Sequence, residues 1–567
     1  MDAPPVAERR YLTEIALFVG VVLLYGLTFS SVPPPDGGLY VISIDKPDYG
    51  FLFHPTSTGT QLLMYLLRRV LDVLRVPIST LAVIQAVNAL VGGAGVVVFY
   101  RVLRLLGGWL ASTVGSGLLA VSFGYWHFAN GERQHLSLVI LLVIFYLLVS
   151  ARVDNREFHW RFVALMGLLN ALAVAFRQEN FLFGFAAVAL LAIGRPWRDG
   201  ARDALIYGLA GVFGTVLVGA GLALLAVWFG VGTFGWYCWY YFGGWLSYSL
   251  GRAQDYQAFE HATRFDIPRV VKGQLTAFVA GTQVVFDSVR GLVSLAHRKV
   301  ASLVALTALA GLLMILLASD LWGARRLIRG ARLATAISGG VWLVTYAIFH
   351  ARFWPSVTKY QVVTLPPLIL LLMLGAIALS AEDTAATRSP RGAAWRALAL
   401  VLVVFALNVW GGIRPWYQYG QLQERLIQRQ ARDFRQSDLF ISTESGIDSV
   451  FDRVGEHIHV KDALIRTTSD EAFSAITEAI HERLDSRQRV FVYNFVPSPY
   501  SLIGINQAPT RGSQPLTARD FEVFFEGLRK TYATRQVFSY WEEGKAPLYL
   551  FGERLEPFWE LARRPPA

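Results

Sequence analysis

Three aspartates, Asp36, Asp45 and Asp48, fall in one stretch, PPPDGGLYVISIDKPDYGFLFHPT at 33–56, just after the first long apolar run. A glutamate, Glu132, sits in a second polar break, WHFANGERQHL. A third break, AFRQENF, holds Arg177, Gln178 and Glu179, and a later one, FHARFWPSVTKYQ, holds Arg352, Lys359 and Tyr360. A carboxylate can take a proton from a hydroxyl or amine that attacks an electrophilic carbon. Arginine or lysine can hold a departing phosphate and stabilise its growing charge. Carboxylates and cations that recur at the ends of apolar runs suit transfer of a sugar from a lipid phosphate to an acceptor, if the fold brings them to one cavity.

Each residue also has a plainer role open to it. Aspartates in a Pro/Gly-rich loop form turns and caps. Glu132 next to Arg133 reads as a surface ion pair, and such pairs contribute little. Arg177 and Glu179 can pair to bury a reentrant turn. Lys359 can extend its ammonium toward the headgroups. His54, before Pro55, can cap the helix that follows. The aromatic run at 235–248 suits interface anchoring better than sugar stacking.

The elements that must carry these residues are membrane helices. Of 567 residues, 54% are hydrophobic and 16% charged, well below the quarter or so usual in soluble domains. Apolar runs fall near 12–30, 79–99, 108–125, 136–151, 162–176, 180–194, 204–230, 300–319, 334–350, 361–380 and 396–412. These predict about eleven spans of a ~30 Å hydrocarbon core. No small-residue cleavage site follows the first run, so it reads as a retained span. Arginines concentrate in alternate loops: Arg9 and Arg10, Arg101 and Arg104, Arg152 to Arg161, Arg195 to Arg202, Arg325 to Arg332, and Arg388 to Arg396. This alternation predicts a cytoplasmic N-terminus and places the aspartate stretch outside. The net charge of +11 then has a topological origin and does not call for nucleic acid.

Two outside loops are long, 31–78 and 231–299. The first ends in TGTQLLMYLLRRVLDVLRVP, whose leucines follow helical spacing with arginines interleaved, as in helices that lie in the interface. The second ends in another amphipathic stretch near 270–296. From 416 the composition changes. DLFIST, RVFVYNF and APLYLFG read as strands, EAFSAITEAIHERLD and ARDFEVFFEGLRKTY as amphipathic helices. The expected organisation is a helical membrane domain at 1–415 and an extracytoplasmic α/β domain at 416–567. The second domain has no Gly-rich phosphate loop. Cys238 is the single cysteine, which excludes an intrachain disulfide and a cysteine-based metal site. No metal or other cofactor is expected.

With these features together, the chain resembles the GT-C superfamily of integral membrane glycosyltransferases. The nearest pattern is the branch similar to protein O-mannosyltransferases. LLYGLT at 23–28, Asp36-Gly37-Gly38, His54-Pro55, AVNALVGGAGVVVFYRVLRLLG at 86–107, Trp126, Glu132-Arg133-Gln134-His135-Leu136 and GLLNALAVAFRQENFLF at 167–183 carry the resemblance. Leu39 stands where the branch has a glutamate, one proline is missing after His54, and Gln134 replaces a tyrosine. The resemblance covers 12–195 in its motifs and is architectural beyond that. It implies a polyprenyl-phosphate-linked sugar as donor, mannose if the branch is followed, and a protein, glycan or lipid acceptor. It also implies a bacterial inner membrane location and a catalytic carboxylate in the first outside loop. Asp36 ranks first as base, then Asp45 and Asp48, with Glu132 assisting or binding acceptor. His54, Arg177, Gln178, Glu179, Arg352, Lys359 and Tyr360 would bind substrate. A secondary transporter or lipid flippase is the rival; it would show inverted repeats and broken midplane helices, and neither is evident. A non-catalytic scaffold of envelope assembly is a third reading, under which the carboxylates would tolerate replacement.

Overall fold

The computed structural model describes residues 6–31, 33–45, 47, 49–54, 57–132, 134–244, 267–280, 298–325, 328–352, 358–381, 390–414, 416–417, 421, 435, 437–442, 456–460, 469–493, 518–538 and 558–563. The chain forms two compact units. One comprises Met1–Phe29 and Asp48–Arg414, the other Ser30–Pro47 and Pro415–Ala567.

The first unit is helical. Among the described residues, eight helices are long and apolar enough to cross a membrane: Tyr11–Thr28, Thr80–Leu106, Gln134–Val153, Trp197–Trp228, Val304–Gly323, Gly330–Ala351, Thr358–Ile377 and Gly392–Ile413. Three shorter apolar helices accompany them, Trp109–Val121, Trp160–Phe176 and Gln178–Ala192. Every apolar run read from the sequence falls on one of these elements. By length and composition the chain is a multi-pass membrane protein. The Thr80–Leu106 helix packs on both the Val6–Thr28 and Gln134–Val153 helices, and Trp160–Phe176 packs along Trp197–Trp228.

Buried carboxylates tie the arginine-rich helix ends. Arg101 grips Glu14 with two bonds of 3.1 and 2.6 Å, joining the first two long helices. Arg195 holds Asp203 at 2.7 Å and Arg396 holds Asp320 at 2.5 Å. Arg104 donates to the Gly107 carbonyl and Arg152 to that of Ile193, groups that helix ends leave open. These arginines therefore act locally as helix clamps.

The second unit contains a helix, Pro35–Asp45, and a five-stranded sheet. The strands are β1 Leu439–Ser442, β2 Glu456–His459, β3 Val490–Tyr493, β4 Tyr532–Phe538 and β5 Phe558–Arg563, in the order β2-β1-β3-β5-β4. β1 pairs in parallel with β2 and β3, while β5 runs antiparallel to β3 and β4. Helices Ser469–Asp485 and Ala518–Thr531 complete the described part. Two expected strands and both expected helices are present. APLYLFG lies outside the described residues, and β2, β4 and β5 are additions. Of the amphipathic stretch expected near 270–296, Ile267–Phe278 is a helix; residues 281–296 also lie outside the described residues.

Candidate functional site

Two buried polar clusters stand out in the membrane unit. The first surrounds Glu132. The short helix Phe123–His127 and the 3-10 turn Phe128–Asn130 lead into it, and Gly131, at a φ of 143°, reverses the chain. The turn is fastened to one face of the Thr80–Leu106 helix. Gln85 Nε2 donates to Asn130 Oδ1 at 2.7 Å, and one turn on, Asn88 Nδ2 donates to the Glu132 carbonyl at 2.5 Å. Farther along the same face, the Gly92 carbonyl accepts from the Tyr125 hydroxyl at 3.0 Å. The Tyr125 carbonyl in turn bonds His135 Nε2 at 2.7 Å. Glu132 is only 1% exposed, so it is a buried carboxylate, and the surface-pair reading is corrected. Arg133 lies outside the described residues.

His127, in the same segment, stacks on Phe123 with ring centroids 4.8 Å apart. Burial lowers its pKa from 6.5 to about 3, because the charged imidazolium loses its hydration there.

The second cluster begins where the Trp160–Phe176 helix stops. Arg177 leaves the helix in extended conformation and the 3-10 turn Gln178–Leu182 follows. Arg177 and Glu179 form an ion pair that is almost wholly buried. Gln178 Nε2 donates to the Tyr241 carbonyl at 2.6 Å. Asn180 accepts from the Tyr346 hydroxyl at 3.1 Å and donates to the Ala173 carbonyl at 3.0 Å. The turn Thr358–Thr364 completes the cluster. The Arg177 guanidinium and the Lys359 ammonium each lie 5.4 Å from the centre of the Tyr360 ring, and His350 stacks against that ring at 5.9 Å. Both amide atoms of Gln361 are buried without a hydrogen-bond partner.

The two clusters are linked by elements. The Thr358–Thr364 turn packs against Phe123–His127, Gln134–Val153 and Ile267–Phe278. The aromatic segment makes a further link. Tyr237 donates to the Phe53 carbonyl at 2.8 Å and its hydroxyl lies 3.0 Å from that of Thr58, while Tyr241 meets Gln178. Trp236, Trp239 and Phe242 are exposed as interface anchors would be. Tyr237 and Tyr241 turn inward instead, a division the anchoring reading did not contain. Residues 245–248 of that run are outside the described residues.

Of the sequence-derived candidates, Arg177, Glu179, Lys359 and Tyr360 are brought together, with Gln178 beside them. Asp45 is the exposed last residue of the Pro35–Asp45 helix. Asp36 belongs to that helix and Arg352 ends the Gly330–Arg352 helix, but their side chains, and Asp48 altogether, lie outside what is described. His54 is half-buried, and its carbonyl, not its ring, accepts from the Ser57 N–H and the Thr58 hydroxyl. Among the described residues no group of His, Cys, Asp or Glu gathers as a metal cage. Gln85, Asn88, Asn180 and Gln361 were not singled out from sequence. The available signal was a pair of amides at i and i+3 inside an apolar span, TLAVIQAVNAL.

No protein-family model matches the chain, and no curated protein matches it. Among solved structures the chain is similar to an archaeal oligosaccharyltransferase, AglB from Archaeoglobus fulgidus, in complex with an inhibitory peptide and a dolichol-phosphate. Identity is 11%, over 93% of this chain and 73% of that one, with a TM-score of 0.44.

Proposed function

We propose that the chain is a membrane glycosyltransferase. It moves a sugar from a polyprenyl-phosphate donor to an acceptor on the membrane face opposite the arginine-rich loops. The observation that carries this reading is the cluster of the buried Arg177–Glu179 pair with the half-buried Lys359 and Tyr360, set at helix ends of the membrane unit. Charged groups are costly at membrane depth and persist there mainly where they are used. The guanidinium and the ammonium suit a phosphate that leaves with a new negative charge.

In this mechanism an acceptor oxygen or nitrogen attacks the anomeric carbon. The bond from that carbon to the phosphate oxygen breaks, and the electron pair departs with the phosphate, held by Arg177 and Lys359. A carboxylate of the first loop takes the acceptor proton. Asp36 is the first candidate, followed by Asp45 and Asp48. Glu132 orients the acceptor or assists the base. Gln178, His54, Tyr360 and Arg352 belong to the substrate-binding set. Mannose is the first sugar to test, the setting is the bacterial inner membrane, and the C-terminal unit binds acceptor or a partner outside the cytoplasm.

The test is transfer from radiolabelled polyprenyl-phosphate mannose by the chain reconstituted with bacterial envelope acceptors. Asp36→Asn, Asp45→Asn and Asp48→Asn are made separately, and at least one should slow transfer by about 100-fold. Three variants at the wild-type rate would remove the loop base, and no transfer by the wild-type chain would favour a scaffold.

A further inference from the structure

Asn408 ends the helix Pro390–Asn408, where regular α-helix gives way to the π turn Val409–Ile413. Breaks of this kind recur at functional sites. The Asn408 side chain is fully buried, and both its amide hydrogens and its oxygen are used. Nδ2 donates to the Val121 carbonyl at 2.7 Å and to the Phe278 carbonyl at 2.9 Å, while Oδ1 accepts from the Ala280 N–H at 2.8 Å. Val121 and Phe278 are the last residues of the helices Trp109–Val121 and Ile267–Phe278. Carbonyls at a helix C-terminus have no partner within the helix. One buried amide therefore caps two helices from a third. With two acceptors on one side and a donor on the other, its orientation is fixed.

The helix pinned in this way touches both polar clusters. Ile267–Phe278 packs on Phe123–His127, the segment that leads to Glu132, and on Thr358–Thr364, the turn that bears Lys359 and Tyr360. The three elements close on one another at Gly124. A Cβ there would stand 3.1 Å from Ala277 Cβ and 3.2 Å from Val362 Cγ2. Gly412, on the π turn itself, is tighter still. Its Cβ would stand 2.5 Å from the Phe123 ring and 2.7 Å from Ala280 Cβ. Ala277, Phe278 and Val362 are fully buried. The hydrogen bonds of Asn408 and the close approach at Gly412 thus act on one junction, and Val362 lies two residues beyond Tyr360 in the same turn.

We infer that Asn408 is a positioning residue for the site: it pins the Ile267–Phe278 helix and, through Ala277 and Val362, sets the turn that presents Lys359 and Tyr360 to the lipid phosphate. The inference rests on the phosphate site proposed above and adds a residue that touches no substrate. A phosphate bound by a guanidinium and an ammonium from different elements is sensitive to small shifts of either one. A buried amide that only stabilised the bundle would lower the unfolding temperature and leave phosphate affinity alone.

Undecaprenyl phosphate is titrated against the purified chain, Asn408→Ala and Gly412→Ala. Gly375→Ala, whose Cβ would strike the backbone of Asp320 and Leu321, serves as a variant that loosens helix packing away from the junction. All three variants should unfold at a lower temperature than the wild type. Asn408→Ala and Gly412→Ala should each weaken binding at least about fivefold, and Gly375→Ala should leave it unchanged. Gly412→Ala reaches the junction by a different contact and stands in if Asn408→Ala does not fold. Wild-type affinity in Asn408→Ala, or an equal loss in Gly375→Ala, would overturn the inference. A second readout needs no ligand. In a Cys238→Ser background, nitroxides on Val271→Cys and Leu172→Cys, both exposed, report the distance from Ile267–Phe278 to the helix that leads to Arg177. Pulsed electron resonance should give a narrow distribution that Asn408→Ala shifts or broadens, and an unchanged one would overturn the pinning. A wild-type chain that binds no phosphate would remove the proposed function, and this distance would still decide the pinning on its own.

Discussion

Asn88 holds the backbone of Glu132 from the middle of an apolar helix, through a bond of 2.5 Å. Asn88→Leu keeps the branched shape but removes the donor to that buried carbonyl, which costs about 1–3 kcal/mol. Thermal unfolding in detergent micelles should show that loss, and an unchanged midpoint would mean that Glu132 is held some other way. His127 belongs to the same segment and adds a pH dependence. Its folded pKa, about 3, lies below the ordinary 6.5, so the unfolded chain binds more protons between those values. Its contribution to stability is full above pH 6.5 and is lost as pH falls toward 3. His127→Gln should flatten the stability profile in that window; an equally steep profile would show that other groups set it. At this scale the sequence displayed the charged residues well, because charge at the end of an apolar run is conspicuous. Gln85, Asn88 and Gln361 were hidden because a neutral amide barely lowers the apolarity of its run, and only the packed partner reveals its use.

Helices in lipid gain little from hydrophobic burial against one another and associate through close approach and polar ties. The Asp320–Arg396 pair, at 2.5 Å, joins Arg298–Ala324 to Pro390–Asn408. Beside it, Gly375 lets Leu365–Ala381 approach so closely that a Cβ there would strike the backbone of Asp320 and Leu321. Backbone cannot swing aside as a side chain can, so Gly375→Ala should cost about 1–3 kcal/mol. Thermal unfolding in micelles reads this as well, and a neutral result would mean that these helices separate at no cost. Helix positions were legible because lipid imposes long apolar runs. Strands β2, β4 and β5 were not. β2 reads EHIH, β4 YATRQVF and β5 FWELAR, with polar residues that only pairing on a sheet makes intelligible.

For the whole molecule, the arginine-rich helix ends predict a cytoplasmic N-terminus and a C-terminal unit on the other face. A phosphatase reporter fused after Trp416 should be active and a cytoplasmic-type reporter inactive there; the reverse would overturn the topology and the placing of the site. The grouping of Ser30–Pro47 with Pro415–Ala567 could not be read from sequence. It joins segments more than 360 residues apart in numbering, and no local pattern encodes such a partnership. The central claim, that Arg177 and Lys359 of the membrane unit hold a lipid phosphate, is tested most directly by binding. Undecaprenyl phosphate and undecaprenol are titrated against the purified chain and against Arg177→Ala and Arg177→Lys. The phosphate should bind saturably and far more tightly than the alcohol, and Arg177→Ala should lose at least about tenfold in affinity while Arg177→Lys loses less. Equal binding of phosphate and alcohol, or an Arg177→Ala chain that binds like the wild type, would contradict the account.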